Sequence, residues 1–333
     1  MKAVFATTAG GPETLQLRDV PTPELPSPHH VRVKLAAAGV NPVDTKLRAK
    51  PAYYPDKLPA ILGCDGAGTV ESIGAAVTRF KEGDEVFFCN GGLGDEPGNY
   101  ADYTTLHEEH CASKPASLSL YDSAALPLVL ITAWESLIDR AALQSGETVL
   151  IHGAAGGVGH IALQLARHLG AYIAATVSDD TKAGIARRFG AEKIINYREQ
   201  DFVQEALDWT GGNGMDVIFD TVGGDTFMRS LAATRIGGRL VSILATPLSQ
   251  SEVQLARLRN LSLCYELMLT PQIMGLHEER VHQRKILEQG AQLIDDGKLE
   301  ILVSHKLPLE QAAEAHRLLE RGSMTGKVVL TMN

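Results

Sequence analysis

Residues 148–159 read TVLIHGAAGGVG, an apolar run that breaks into glycines and continues as HIALQLARHLG (160–170). A strand entering a glycine turn that opens a helix leaves backbone N–H groups and a helix N-terminus free to meet a pyrophosphate. The glycines are spaced GxxGxxG across Gly153, Gly156 and Gly159, not as a strict GxGxxG. Alone, that pattern also suits a plain strand-to-helix turn. The context strengthens it, because a second apolar strand (171–177) follows and ends in the polar residues Ser178, Asp179 and Asp180. The order strand, glycine turn, helix, strand predicts a dinucleotide half-site and therefore an enzyme.

The rest of the chain must be arranged around that unit. At 333 residues it exceeds the size at which a single core keeps growing, so two domains are expected. Upstream lie short strand patterns, KAVFATT, TLQLRDV, HVRVKLAAA, GAGTVESIG, EVFFC and DYTTL, separated by proline and glycine turns. From about Ser123 the texture changes. AALPLVLITAWESLIDRAAL (124–143) reads as helix, and apolar strands then alternate with helices as far as NLSLCYELML (260–269), read as an edge strand. That alternation predicts a parallel sheet covered on both faces. The tail holds a long helix (277–297), a strand, a second helix and a last strand, KVVLTM, expected to return to the first domain.

Net charge is −9 with no basic stretch, which argues against a nucleic-acid surface. No run reaches the roughly eighteen apolar residues of a membrane span. The first residues turn polar too soon for a secretory signal, so a cytoplasmic protein is expected. Cys64, Cys89, Cys111 and Cys264 are scattered, and free thiols are expected.

Taken together, GVNPVDTKLR (39–48), LGCDGAGTVESIGAAVTRFKEGDEV (62–86), HGAAGGVG (152–159), INYREQDF (195–202), FDTVGG (219–224) and GKVVL (326–330) resemble the medium-chain dehydrogenase/reductase superfamily. Within it the likeness is to the zinc-free quinone oxidoreductase branch, the zeta-crystallin-like proteins. The resemblance implies an α/β protein with a GroES-like, β-rich catalytic domain and a doubly wound Rossmann domain. The catalytic domain would comprise residues 1–123 and 269–333, the NADP-binding domain residues 124–268, with the cofactor in the cleft between them.

Zinc-dependent members of that superfamily carry metal ligands at positions that fall here on Asn41, on Cys64-Asp65 and near Leu128. Asparagine and leucine do not replace thiolate or imidazole, so no zinc is expected, and Cys64 reads as a small buried residue. Without a Lewis acid the chemistry shifts to acceptors that are already electron-poor, namely quinones and α,β-unsaturated carbonyls reduced by NADPH.

The resemblance also assigns roles. Ala155, Gly156, Gly157, Val158 and Gly159 would pass under the pyrophosphate. Ser178, Lys182 and Tyr197 would line the 2′-phosphate pocket. Asp179 and Asp180 weigh against that assignment, because two carboxylates repel a phosphate; the alternative is that one of them caps the helix while Lys182 stands in solvent. Thr132, Val222, Gly223, Leu244 and Ala245 would border the nicotinamide. Lys327 would approach the cofactor or the cleft, or else be an exposed strand-edge charge. Asn41 and Asp44 form a polar pair at the substrate, and either Tyr53 or Tyr54 faces the cleft, with the Asn41 amide and a tyrosine hydroxyl as donors to a carbonyl oxygen. His152, His160 and His316 read as structural.

Two alternatives stand beside quinone reduction: a 2-alkenal or enoyl-thioester reductase of one pathway, and a catalytically weak NADP-binding structural protein. The alternation Leu261, Leu263, Leu267 along 260–269, with Tyr265 in phase, predicts an apolar edge and a homodimer across it.

Overall fold

The computed structural model describes residues 1–51, 53–54 and 56–332. The chain divides into two compact units, one formed by Thr132–Met268 and the other by Met1–Ile131 with the segment from Leu269 onward.

The contiguous unit is built on six parallel strands: Thr148–Ile151, Tyr172–Val177, Lys193–Asn196, Met215–Asp220, Thr234–Ser242 and Ser262–Tyr265. Numbered in that order they lie 3-2-1-4-5-6 across the sheet, with every pairing parallel. This is the order of the doubly wound dinucleotide-binding sheet, in which the strand order reverses beside the first strand. The strands are almost wholly apolar because helices cover both faces. On one face Leu150, Ile218, Phe227, Leu231 and Leu240 are fully buried together. Each such side chain contributes about 1.5–3 kcal/mol on burial.

The expected helices form, with caps the sequence supplies. Asp179 accepts from the Lys182 backbone at the head of Asp180–Arg188, and Asp201 does the same for Val203 at Phe202–Trp209. Gln250–Leu258 was not foreseen, although Ser249 and Glu252 form a capping box at its start. The stretch expected as one helix over 124–143 is α-helical only across Pro127–Trp134. Its next six residues, Glu135–Arg140, widen to a π-helix, with Ala141 N bonded to Ser136 O at 3.0 Å. The edge strand is shorter than expected, four residues instead of ten.

The other unit has a seven-stranded sheet around the long strand His30–Val40, which pairs with Asp65–Ile73, Tyr103–His107 and Lys327–Thr331. KVVLTM does return to this unit, antiparallel to His30–Val40, with Val328 opposite Val40. Directly after Val40 comes a helix the sequence reading left unassigned, Pro42–Ala49. Proline at its first position and Asp44 in its first turn are ordinary start signals.

Candidate functional sites

In the contiguous unit the glycine turn is closed so tightly that glycine is required. A Cβ on Gly159 would stand 2.3 Å from the Gly153 carbonyl oxygen. The helix Gly157–His168 opens behind Gly156, an extended N-cap with no side-chain acceptor to occupy the leading N–H groups. Ala155 is buried beneath the turn, and Val158 is partly exposed on it. A helix head of this kind fits a pyrophosphate.

At the end of the second strand Asp179 takes the capping place that the alternative reading gave it. Its carboxylate accepts from the Lys182 backbone at 3.0 Å and from Ser178 Oγ at 2.8 Å, so it is the helix cap. Those two donors hold its carboxyl below the ordinary aspartate range. Lys182 is not left in solvent, because its Nζ reaches Ser178 Oγ at 2.9 Å. Tyr197 and Val222 are about half exposed, and Thr132 is buried.

Sequence reasoning missed Asp220. Its buried carboxylate accepts from Val222 N at 2.9 Å, Gly223 N at 2.9 Å and Ser242 Oγ at 2.8 Å. Ser242 Oγ in turn accepts from Leu244 N at 3.2 Å. One carboxylate thus draws the turn at Val222–Gly223 and the approach to Leu244–Ala245 together. A chain motif, FDTVGG, contained the residue but not its partner on the next strand.

The second unit gathers a buried polar cluster at the head of Pro42–Ala49. Asn41 donates its backbone N–H to Asp44 Oδ2 at 2.8 Å and its side-chain Nδ2 to Asp65 Oδ2 at 2.8 Å. Asn41 Oδ1 accepts from Lys327 Nζ, which also lies 3.3 Å from Val40 O and 3.6 Å from Asp65. Asp65 Oδ1 accepts from Leu128 N at 2.8 Å. Tyr100, another residue not foreseen, donates to Asp44 at 3.0 Å. Cys64 Sγ lies 3.8 Å from the other Asp44 oxygen.

Lys327 is therefore a buried charge and not an exposed strand-edge one. Asn41 and Asp44 are also fully buried, and the amide is engaged inward on both sides. Burial pushes the Asp44 carboxyl up to about 7, with Asp65 adding to the effect and the Asn41 N–H, Tyr100 and Lys327 opposing it. Burial raises Asp65 as well, against the pull of Lys327 and Asn41. The Cys64 thiol is pushed well up by burial, which makes it a poor nucleophile.

Tyr53 and Tyr54 are each partly buried. Tyr54 OH lies 3.5 Å from Ile273 O, whereas the Tyr53 hydroxyl makes no hydrogen bond among the described residues. Burial, with the nearby Cys64, raises the Tyr53 hydroxyl. The three histidines read as structural have inward partners: His152 with Thr176 and Ser230, His160 with Gly156 O, and His316 with Tyr100 and Arg48. All four cysteines are free.

Among the described residues no three His, Cys, Asp or Glu side chains are grouped to hold a metal ion, and no helix is long and apolar enough to cross a membrane. At the positions of the zinc ligands stand the Asn41 amide, the Cys64 thiol with its raised pKa beside an Asp65 carboxylate already bonded to Asn41 and Leu128 N, and the apolar side chain of Leu128. That donor set does not fit zinc.

Residues 189–330 match the family described as zinc-binding dehydrogenase, and residues 27–116 match the alcohol dehydrogenase GroES-like domain. A quinone oxidoreductase from Pseudomonas aeruginosa is 36% identical over 331 residues, covering 99% of this chain and 99% of its own length. A quinone oxidoreductase from Homo sapiens is 31% identical over 334 residues, covering 100% and 98%. The crystal structure of Escherichia coli quinone oxidoreductase complexed with NADPH superposes with a TM-score of 0.87 at 31% identity, covering 99% of this chain and 100% of that one.

Proposed function

The chain belongs to the quinone oxidoreductase branch of the medium-chain dehydrogenase/reductase superfamily, and we propose that it reduces quinones and α,β-unsaturated carbonyls with NADPH, without zinc. When bound, NADPH supplies a hydride. The glycine turn 156–159 with Ala155 would hold its pyrophosphate. Thr132, Val222, Gly223, Leu244 and Ala245 would border the nicotinamide.

Support for NADPH over NADH comes from the pairing of Lys182 Nζ with Ser178 Oγ at 2.9 Å. An ammonium and a hydroxyl at the end of the second strand suit a 2′-phosphate, with Tyr197 beside them. The neighbouring carboxylate that would favour ribose hydroxyls, Asp179, is engaged as the helix cap and lies 3.7 Å from the Lys182 ammonium, so a 2′-phosphate would have to compete with it for that charge.

One observation carries the chemistry: the Lys327 ammonium lies buried against Asn41 and Asp65. Although Asp65 offsets its charge, the ammonium would still act as an oriented donor end beneath the site, favouring negative charge that develops on an acceptor oxygen on its side of the pair. Tyr53, whose hydroxyl is unengaged among the described residues, is the donor to that oxygen. Asn41 and Asp44 act from beneath, holding the charge in place, and Tyr54 flanks the donor.

The test is a spectrophotometric screen of NADPH and NADH oxidation against 1,4-benzoquinone, naphthoquinones and short enones, with metal analysis of the active protein. NADPH-dependent turnover of quinones at negligible zinc content is expected. Stoichiometric zinc, or alcohol oxidation with NAD as the preferred activity, would overturn the assignment.

A further inference from the structure

The hydrogen bonds that lead to Asp44 all point the same way. Arg48 Nη1 lies 3.4 Å from His316 Nδ1, His316 Nε2 lies 3.2 Å from the Tyr100 hydroxyl, and that hydroxyl lies 3.0 Å from Asp44 Oδ2. Arginine only donates, so His316 Nδ1 accepts and the imidazole proton sits on Nε2. The Nε2–H then donates to the Tyr100 oxygen, and the Tyr100 O–H is left for Asp44. Arg48 itself is anchored to Gly10 O at 3.0 Å and to Glu320. Tyr100 has no room to move toward Gly63, where a Cβ would stand 2.4 Å from its ring.

This chain is not a proton wire. A proton leaving His316 would need replacement at Nδ1, which faces a guanidinium that does not deprotonate. Burial and Arg48 also hold the imidazole neutral down to about 3. What the chain delivers is a fixed donor, aimed at one carboxylate.

We propose that Tyr100, aligned by His316 and Arg48, is a positioning residue that governs when Asp44 carries its charge and thereby sets the alkaline limit of turnover. The inference rests on the reading that the turn at Asn41–Asp44 underlies the substrate. Asp65 and the thiols Cys64 and Cys89 disfavour a charge on Asp44 or are disfavoured by it, while Lys327 favours it. Hydride transfer builds negative charge on the acceptor, and it proceeds more easily above a neutral Asp44 than above an ionised one. The Tyr100 donor stabilises the ionised form, so its removal raises the pH at which the inhibiting charge appears.

The experiment compares kcat and kcat/KM across pH 5 to 9.5, with NADPH and 1,4-benzoquinone, for the intact protein and Tyr100→Phe. Activity of the parent should decline through about 7. In Tyr100→Phe the midpoint of that decline should move up by about one pH unit, the equivalent of one hydrogen bond to a charged group. His316→Ala should move it likewise, and His316→Gln, which keeps an N–H donor, should move it less. A lower kcat at every pH with an unmoved midpoint would mean a purely structural Tyr100 and would overturn the proposal.

Urea stability of the same two proteins gives a readout independent of turnover. The parent should stop losing stability once pH passes about 7, whereas Tyr100→Phe should go on losing it to higher pH. If the parent oxidises NADPH with none of the acceptors, the functional reading fails. The urea comparison still decides whether Tyr100 governs Asp44, and superimposable curves would refute it.

Discussion

Lys327 Nζ lies 3.6 Å from the Asp65 carboxylate, and the two side chains are 3% and 0% exposed. A pair so far from water is held by its mutual attraction and its hydrogen bonds, and either member alone is a buried, uncompensated charge. Lys327→Met should therefore cost about 3–5 kcal/mol of stability. The double variant Asp65→Asn/Lys327→Met should recover most of it. Urea unfolding of Lys327→Met, Asp65→Asn and the double variant measures this, and additive losses would contradict the pairing.

Lys182→Ala removes the ammonium that Ser178 holds in place. The KM for NADPH should rise roughly tenfold or more, the worth of one charge-assisted hydrogen bond to a phosphate. The KM for NADH should barely change. Equal effects on both cofactors would reject a role in reading the phosphate.

Asp44 is protonated more readily in the folded chain than in the unfolded one, so its burial favours the native state at low pH. That contribution is lost as pH rises from the ordinary carboxylate range, about 4, through about 7. Asp44→Asn should flatten this decline, and urea midpoints measured from pH 5 to 9 would reveal it. The buried imidazoles act in the opposite direction. His152 and His316 are held neutral down to about 4 and about 3, chiefly by burial. The unfolded chain takes up those protons first, so stability should fall as pH drops below about 6.5, the ordinary imidazole value. His316→Gln should soften that acid slope.

Ser262–Tyr265 is the edge of the six-stranded sheet; Leu261 and Leu263 pack against the core, whereas Tyr265 at its end and Leu267 just beyond it are 51% and 43% exposed. An apolar edge of this kind suits pairing with a second copy across a two-fold axis. Sedimentation should find a dimer at micromolar concentration, and Leu267→Lys should shift it toward monomer. A monomeric parent would remove the prediction.

The sheet elements were readable because their apolar residues recur at a regular period. So was the glycine turn, whose spacing is local. What escaped the reading was the helix Pro42–Ala49, too short and too polar to show periodicity, although Asn41, Pro42 and Asp44 mark its start. Asp220 lay in plain view within FDTVGG, but its importance comes from Ser242 on a neighbouring strand. The cluster around Asp44 was least legible of all. Tyr100 and His316 are 216 positions apart, and nothing in either local sequence announces the other. Asn41 and Asp44 stand out in the sequence as a polar pair, yet only the fold shows that both face inward.

Because Lys327 reaches Asn41 across 286 residues, the cation arrives long after the amide it binds. A ribosome adding about 5–20 residues per second takes on the order of tens of seconds to cover that gap. During the delay all of Thr132–Met268 is synthesised, a contiguous stretch with its own core. The nascent chain can thus complete the unit Thr132–Met268 while Asp65 still waits for its counter-charge, and the buried pair forms only once the strand Lys327–Thr331 has been added.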